Sequence, residues 1–313
     1  MHNKIWLIGA GDIAVEYSKV LKTLNKDFIV IGRGISSAKT FEKKTGVPVI
    51  LEGLKSYLKT NPVIPQEAIV AVNLPDLKDI IISLVNAGVK RVFAEKPGFL
   101  YPEEVNEIYP IVDKANADVF LAYNRRFFSS VIKAQEIISN DGGVTSFNFE
   151  FTEWGHVIEK LNKPKSELEN WLYANSTHVI DLAFYLGGKP TDLSAYYAGE
   201  INWHKPSVFS GAGKTDKGAL FAYQANWDAP GRWGVEILTN KHRLILRPLE
   251  KLQIQEKDSI NVNFVELDDS LDLEYKPGFF LETKAFLEKD SSRLCSIKEQ
   301  LDNINLYEKI KGV

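Results

Sequence analysis

From residue 4 to about residue 122, short apolar runs alternate with longer stretches of mixed polarity. IWLIGA, FIVIG, AIVAVNL, RVFAEK and VFLAY are apolar at successive positions. That is the pattern of strands covered on both faces, as in a parallel sheet. Between them DIAVEYSKVLKTL, SSAKTFEKKTG, DLKDIIISLVNAG and YPEEVNEIYPIVDKA read as helices. The alternation predicts βαβ units and a doubly wound α/β domain of the Rossmann type over residues 1–122.

After about residue 145 the period changes. TSFNFEFTEW alternates, with Phe147, Phe149 and Phe151 on one face, as a half-buried strand does. LSAYYAGEI, GALFAYQANW, WGVEILT, HRLILRP and KLQIQEK follow, several joined by short turns, which predicts a mostly antiparallel sheet. A helical stretch from GFFLETKAFLEK to LDNINLYEKI closes the chain, so residues 123–313 form an α+β domain. Between the first two of these strands lies YANSTHVIDLAFYLGG, apolar all round as a buried helix is. Asn175, Ser176 or Thr177 is placed to cap it and Gly187-Gly188 to end it. His178 and Asp181 inside such a helix call for an explanation; the plain one is a satisfied core histidine.

Composition excludes some classes. The net charge is −3 with no long run of one sign, which argues against a nucleic-acid surface. No stretch approaches the roughly 18 apolar residues of a membrane span, and MHNKIWLIGAG lacks the apolar length of a signal peptide. The single cysteine, Cys295, has no internal disulfide partner; together these features read as cytoplasmic. No H-x-H or H-E-x-x-H pairing suggests a metal site; His2, His156, His204 and His242 are scattered.

GAGDIA, residues 9–14, follows the first strand and opens a helix, the G-x-G-x-x-A form of the dinucleotide fingerprint. Gly9 permits the tight turn, Gly11 lets backbone approach a pyrophosphate, and Ala14 allows close helix–strand packing. Asp12 and Ile13 start the helix whose N–H groups and dipole face the phosphates. At the end of the second strand, where NAD sites carry an acid for the ribose 2′-OH, FIVIGRGISSAK has Gly32. Arg33, Ser36, Ser37 and Lys39 offer donors to a 2′-phosphate, so NADP is expected before NAD. Two further strand ends, VNLP with Asn73 and Pro75 and AEKP with Glu95 and Lys96, belong to the same edge of the sheet. Pro97 ends the strand at Lys96, whose ammonium can hydrogen-bond a substrate oxygen and stabilise alkoxide charge.

GAGDIA, AEKP, YNRRF (123–127) and the THVIDL helix, in this order and spacing, resemble the family of glucose–fructose oxidoreductase and inositol dehydrogenase. The resemblance implies an NAD(P)-dependent oxidoreductase acting on a sugar, cyclitol or nucleotide-linked sugar. It also implies an open antiparallel sheet in the second domain that covers substrate and supports a homo-dimer or homo-tetramer. By the same resemblance Lys96 and His178 are the catalytic pair, His178 moving the proton and facing the cofactor cleft one strand end from Lys96. Histidine suits that task, with an ordinary pKa of about 6.5. Asp181 is then structural.

The family commonly carries Asp four residues before the histidine, and here that position is Ala174. Asn175 is one place off the required helix face at about 100° per residue. Tyr123, Asn124, Arg125 and Tyr173 are candidate replacement donors, with Tyr123, Arg125 and Asn175 as substrate contacts. Arg125 and Arg126 are candidates for a substrate phosphate or carboxylate, with an internal salt bridge expected for at least one. Trp154 and His156 follow a strand and are read as not touching substrate; Trp171, Trp203, Trp227 and Trp233 are read as packing residues. Two alternatives stand beside the sugar oxidoreductase. One is a non-catalytic NADP-binding sensor or assembly protein. The other is a reductase of a non-sugar carbonyl or a conjugated double bond.

Overall fold

A computed structural model describes residues 4–312, and the chain forms two compact units. The first holds the residues up to Tyr123 together with Phe279–Asp302; the second holds Asn124–Gly278 and the residues from Asn303 on. The sequence pattern put the whole closing helical stretch after residue 122. Its first part instead belongs to the first unit, where Phe279 and Phe286 give the apolar contacts. Phe286 stacks on Phe93 at 5.1 Å and Phe279 lies 4.4 Å from Tyr17.

In the first unit six parallel strands run β1 (Ile5–Ile8), β2 (Phe28–Ile31), β3 (Val49–Ile50), β4 (Glu67–Val70), β5 (Arg91–Ala94) and β6 (Asp118–Leu121). Their spatial order is β6-β5-β4-β1-β2-β3, the doubly wound order, which reverses between β1 and β4. A two-residue strand, Cys295–Ser296, adds antiparallel to β6 at the edge. It was not legible as a strand because two residues carry no period. The strands are buried on both faces, as the apolar runs require.

The second unit is built on an eight-stranded sheet: β7 (Ser146–Glu150), β8 (Pro190–Ala198), β9 (Val208–Thr215), β10 (Leu220–Asn226), β11 (Gly234–Leu238), β12 (His242–Leu246), β13 (Gln253–Glu256) and β14 (Asn263–Phe264). Every pairing is antiparallel except β7 with β10. Phe147 and Phe149 pack on Phe184 of the helix Thr177–Gly187 at 5.8 and 5.5 Å, and Phe221 joins them at 5.0 Å from Phe184. Such aromatic pairs contribute about 0.5–1.5 kcal/mol each beyond the area they bury. Gly187 is required by this packing, since a Cβ there would lie 2.2 Å from the Phe147 ring.

The sequence pattern missed β9, because Gly211 and Gly213 dilute its strand character. Both glycines sit under large neighbours. A Cβ at Gly211 would meet the Tyr223 ring at 2.5 Å, and one at Gly213 the Asp192 carbonyl at 2.0 Å. Among the described residues no helix is long and apolar enough to cross a membrane.

Candidate functional site

The glycine loop after β1 is shaped by two different demands. Gly9 has φ +117°, and a Cβ there would lie 2.1 Å from the Ala71 carbonyl oxygen just after β4, so only glycine fits. At Gly11 a Cβ would meet nothing within 4 Å, so the protein's own packing does not call for glycine. What the open space permits is close approach of a ligand to backbone, the use the fingerprint makes of this position. Gly11 caps the helix Asp12–Thr23 with no side-chain hydrogen bond, which leaves the first-turn amides for an anion. Ala14 is fully buried and Ile13 half-buried. The Asp12 carboxylate turns to Lys44 at 2.7 Å, and this hydrogen bond and charge hold its pKa below the usual carboxylate range. These residues fit a dinucleotide pyrophosphate.

Beyond β2, Arg33, Ser36, Ser37 and Lys39 are all exposed. Arg33 is not alone there: its two terminal nitrogens meet the two carboxylate oxygens of Asp76 at 3.1 Å each. Asp76 comes from the short 3-10 turn Leu74–Asp76 that follows Asn73 after β4, with Asn73 and Pro75 exposed. The acid absent from the end of β2 is thus supplied from the end of β4, 43 residues on.

Glu95 and Lys96 follow β5 directly and are half-buried. The Tyr17 hydroxyl donates to Glu95 Oε1 at 3.0 Å. Burial, then the charges of Glu95 and Glu282, push the Tyr17 pKa well above its usual value, so it stays a donor. The next turn is fixed from the far end of the chain: Gln300 donates through Nε2 to the Pro97 carbonyl at 3.0 Å and lies 3.0 Å from the Tyr123 hydroxyl. Tyr123, expected at the substrate, is 1% exposed and forms part of this brace.

In the second unit His178 is buried at the start of the helix Thr177–Gly187. Arg125 Nη1 lies 3.0 Å from His178 Nε2 and also donates to Asn124 Oδ1 at 2.6 Å. A guanidinium has donors only, so Nε2 is an acceptor and the ring hydrogen of the neutral imidazole belongs on Nδ1. The Arg125 guanidinium lies 5.4 Å from the Trp233 ring centre, and that ring is 6.1 Å from His178. One residue on, Arg126 pairs with Asp181 through two hydrogen bonds, both side chains buried, and its guanidinium lies 4.7 Å from the Tyr185 ring. Asp181 is engaged in this buried pair, and Arg126 supplies the expected internal salt bridge.

The expected side-chain cap of the histidine helix is absent. The helix is preceded by a π-turn, Leu172–Ser176, so the chain enters it already wound and no end needs capping. Asn175 and Ser176 donate instead to Glu153 Oε1 at 3.0 and 2.8 Å. Asn175 lies inside this wider turn, where the 100° per residue that would put it one place off the histidine's face does not hold. Tyr173 is buried against Lys311, whose ammonium lies 4.6 Å from its ring.

Glu153 is 1% exposed and was not singled out in the sequence. A signal was there: residue 153 keeps the inward phase of Phe147, Phe149 and Phe151. Trp171, Trp227 and Trp233 are buried, as expected of packing residues, and Trp203 stacks on Trp227 at 5.6 Å. Of the other histidines, His2 lies outside the described residues, His156 is exposed, and His242 bridges Asp141 and Glu256.

Residues 3–123 match the model of an oxidoreductase family with an NAD-binding Rossmann fold. No curated protein matches the chain. Levoglucosan dehydrogenase in complex with NADH and levoglucosan is similar in structure, with TM-score 0.79 at 18% identity over 98% of this chain and 95% of that one. UDP-N-acetylglucosamine 3-dehydrogenase from Acidithiobacillus ferrooxidans gives 0.77 at 13% identity, covering 100% and 97%. A putative NADPH-dependent oxidoreductase from Desulfitobacterium hafniense gives 0.79 at 14%, covering 100% and 96%. At these identities the likeness establishes a shared fold. The family match is confined to residues 3–123, all within the first unit.

Proposed function

We propose that the protein is an NAD(P)-dependent oxidoreductase of a sugar, cyclitol or nucleotide-linked sugar, with NADP(H) the preferred nucleotide. The observation that carries the reading is the placement of His178: a buried imidazole whose Nε2 accepts from Arg125, the nitrogen that takes a substrate proton once a substrate hydroxyl displaces the guanidinium. Lys96, braced after β5, is assigned to the reacting oxygen, where its positive charge lowers the cost of alkoxide character. The nicotinamide, when bound, supplies or accepts the hydride. Levoglucosan, L-sorbose and UDP-GlcNAcA are the sugar ligands bound by structural neighbours, which supports the substrate class.

NADP(H) preference is supported by Gly32 in place of an acid and by the exposed Arg33 and Ser36. The Arg33–Asp76 pair is solvated, and exposed pairs of this kind hold together by only about 0–1 kcal/mol, so a 2′-phosphate can displace the carboxylate. Exposed Tyr196 and Leu220 on the eight-stranded sheet support a dimer or tetramer, which sedimentation of the purified protein checks.

The test is a pair of fluorescence titrations of cofactor-free protein with NADPH and NADH, followed by a sugar screen with the tighter one. Tighter NADPH binding that disappears in Arg33→Ala supports the nucleotide assignment. Turnover lost by several orders of magnitude in Lys96→Ala, with nucleotide binding retained, supports the enzymatic one. Tight binding without turnover on any sugar, indifferent to His178, would establish a nucleotide sensor instead. Binding of neither nucleotide would end the proposal.

A further inference from the structure

Close to His178, two indoles and a buried carboxylate hold one guanidinium in place. Arg232 lies in the connection from β10 to β11, its guanidinium carbon 4.9 Å from the Trp154 ring centre and 4.6 Å from that of Trp233. Trp154 is itself fixed, its indole N–H donating to the Gly231 carbonyl at 2.9 Å. Gly231 seats against β7, where a Cβ would lie 2.4 Å from Glu150 Oε1. Trp233 is shared: Arg125 lies 5.4 Å from its ring centre and the His178 ring 6.1 Å, so Arg232 and the histidine border the same indole.

A guanidinium stacked on aromatic rings keeps its edge for ligands. That edge is a fork of N–H donors matched to two oxygens of a carboxylate or phosphate. One nitrogen of the Arg232 fork reaches Glu153 Oε2 at 3.4 Å, a long, single contact. The other oxygen of Glu153 is already taken by Asn175 and Ser176. Arg232 remains 45% exposed while the carboxylate behind it is 1% exposed. The side chain is therefore ordered before any ligand arrives, which removes the entropy a free arginine loses on binding. Its edge is also only partly engaged. A second guanidinium, that of Arg125, stands on the same indole and adds to the positive potential around His178.

We infer that Arg232 binds an anionic substituent, a carboxylate or a phosphate, on the substrate, so that the substrate class is an acidic sugar. This rests on the oxidoreductase reading of the same unit and narrows it. Trp154 and Trp233 act as positioning residues that aim the fork, and Glu153 anchors its inner arm.

The experiment is quenching of tryptophan fluorescence in the presence of saturating NADP+ by four probes: D-glucuronate, glucose 6-phosphate, UDP-glucose and glucose. At least one anionic probe saturates in a range where glucose does not. Arg232→Gln weakens that probe by about tenfold to a hundredfold, the loss of one charge-assisted hydrogen-bonded pair. NADP+ affinity is unchanged in the variant, and Arg232→Lys, which keeps the charge but not the fork, recovers part of the loss. Which probe binds separates a carboxylate from a monophosphate or a diphosphate. Glucose binding as tightly as every anion, no saturation by any probe, or an Arg232→Gln variant with unaltered anion affinity would each overturn the inference. Failure of the unaltered protein to bind NADP+ or NAD+ would instead overturn the oxidoreductase reading on which it rests.

Discussion

Arg125 Nη1 lies 3.0 Å from Nε2 of His178, a contact in which only the arginine can donate. Four residues before the histidine the chain has Ala174, which brings no carboxylate to the ring. In this chain the Arg125 guanidinium is the group that meets the ring at Nε2. The arrangement fixes the neutral imidazole as the Nδ1–H form. Nitrogen-15 spectra of the unaltered protein should show His178 in that tautomer, and Arg125→Leu should shift it toward the Nε2–H form. His178→Asn should lower kcat by about 10²- to 10⁴-fold, the usual size of a general-base contribution, with nucleotide affinity unchanged. A His178→Asn enzyme with full turnover would remove the residue from the chemistry.

Arg126 and Asp181 form the structural counterpart of that contact, a two-point ion pair with both side chains almost wholly out of water. Removing one partner strands the other charge in the interior. Asp181→Asn or Arg126→Met should each cost about 3–5 kcal/mol in urea unfolding. The double replacement should cost much less than the sum of the two, because it leaves no uncompensated charge. Additive losses in the double variant would show that the two residues act through separate partners.

Asp76 sets the terms on which Arg33 meets a nucleotide. Its carboxylate occupies both arms of the guanidinium at 3.1 Å and would stand against a 2′-phosphate. Asp76→Asn should tighten NADPH by up to about tenfold at low salt and leave NADH nearly unchanged. The gain should shrink at high ionic strength, as an exposed electrostatic effect must. Equal changes for the two nucleotides would mean that Asp76 acts on something other than the 2′ position.

Local rules carried much of this far. The parallel sheet was readable because strands buried on both faces leave unbroken apolar runs, and Gly9 because a sharp turn against the Ala71 carbonyl tolerates nothing larger. What local rules could not show were contacts between distant positions. Arg33 and Asp76 are 43 residues apart and Gln300 reaches Pro97 across 203, so no window contains either pair. The π-turn over Leu172–Ser176 was hidden for a different reason. Its residues are compatible with an α-helix, and the side-chain hydrogen bonds that Asn175 and Ser176 make within it go to Glu153 of another segment. Glu153, three residues past the end of β7, was passed over because acids are rarely buried.

His204 offers a test by pH. It is 4% exposed, within 4.5 Å of the Trp227 ring centre and 5.7 Å of Trp203, and its Nδ1 donates to the Pro206 carbonyl at 2.8 Å. Burial pushes its pKa down to about 4; the nearby Lys311 acts in the same direction, and the Pro206 contact and Glu169 partly oppose it. In the unfolded chain an ordinary histidine titrates at about 6.5. Between these values the unfolded chain takes up a proton that the folded one refuses, so unfolding becomes easier as pH falls. The contribution of His204 is complete above pH 6.5, is lost progressively toward about pH 4, and changes no further below it, for a total of roughly 3 kcal/mol. Urea midpoints at several values across this window should therefore fall more steeply for the unaltered protein than for His204→Asn, which keeps a side-chain N–H but does not titrate. Parallel curves for the two proteins would mean that the histidine is protonated in the fold, or that the fold opens around it before the proton arrives.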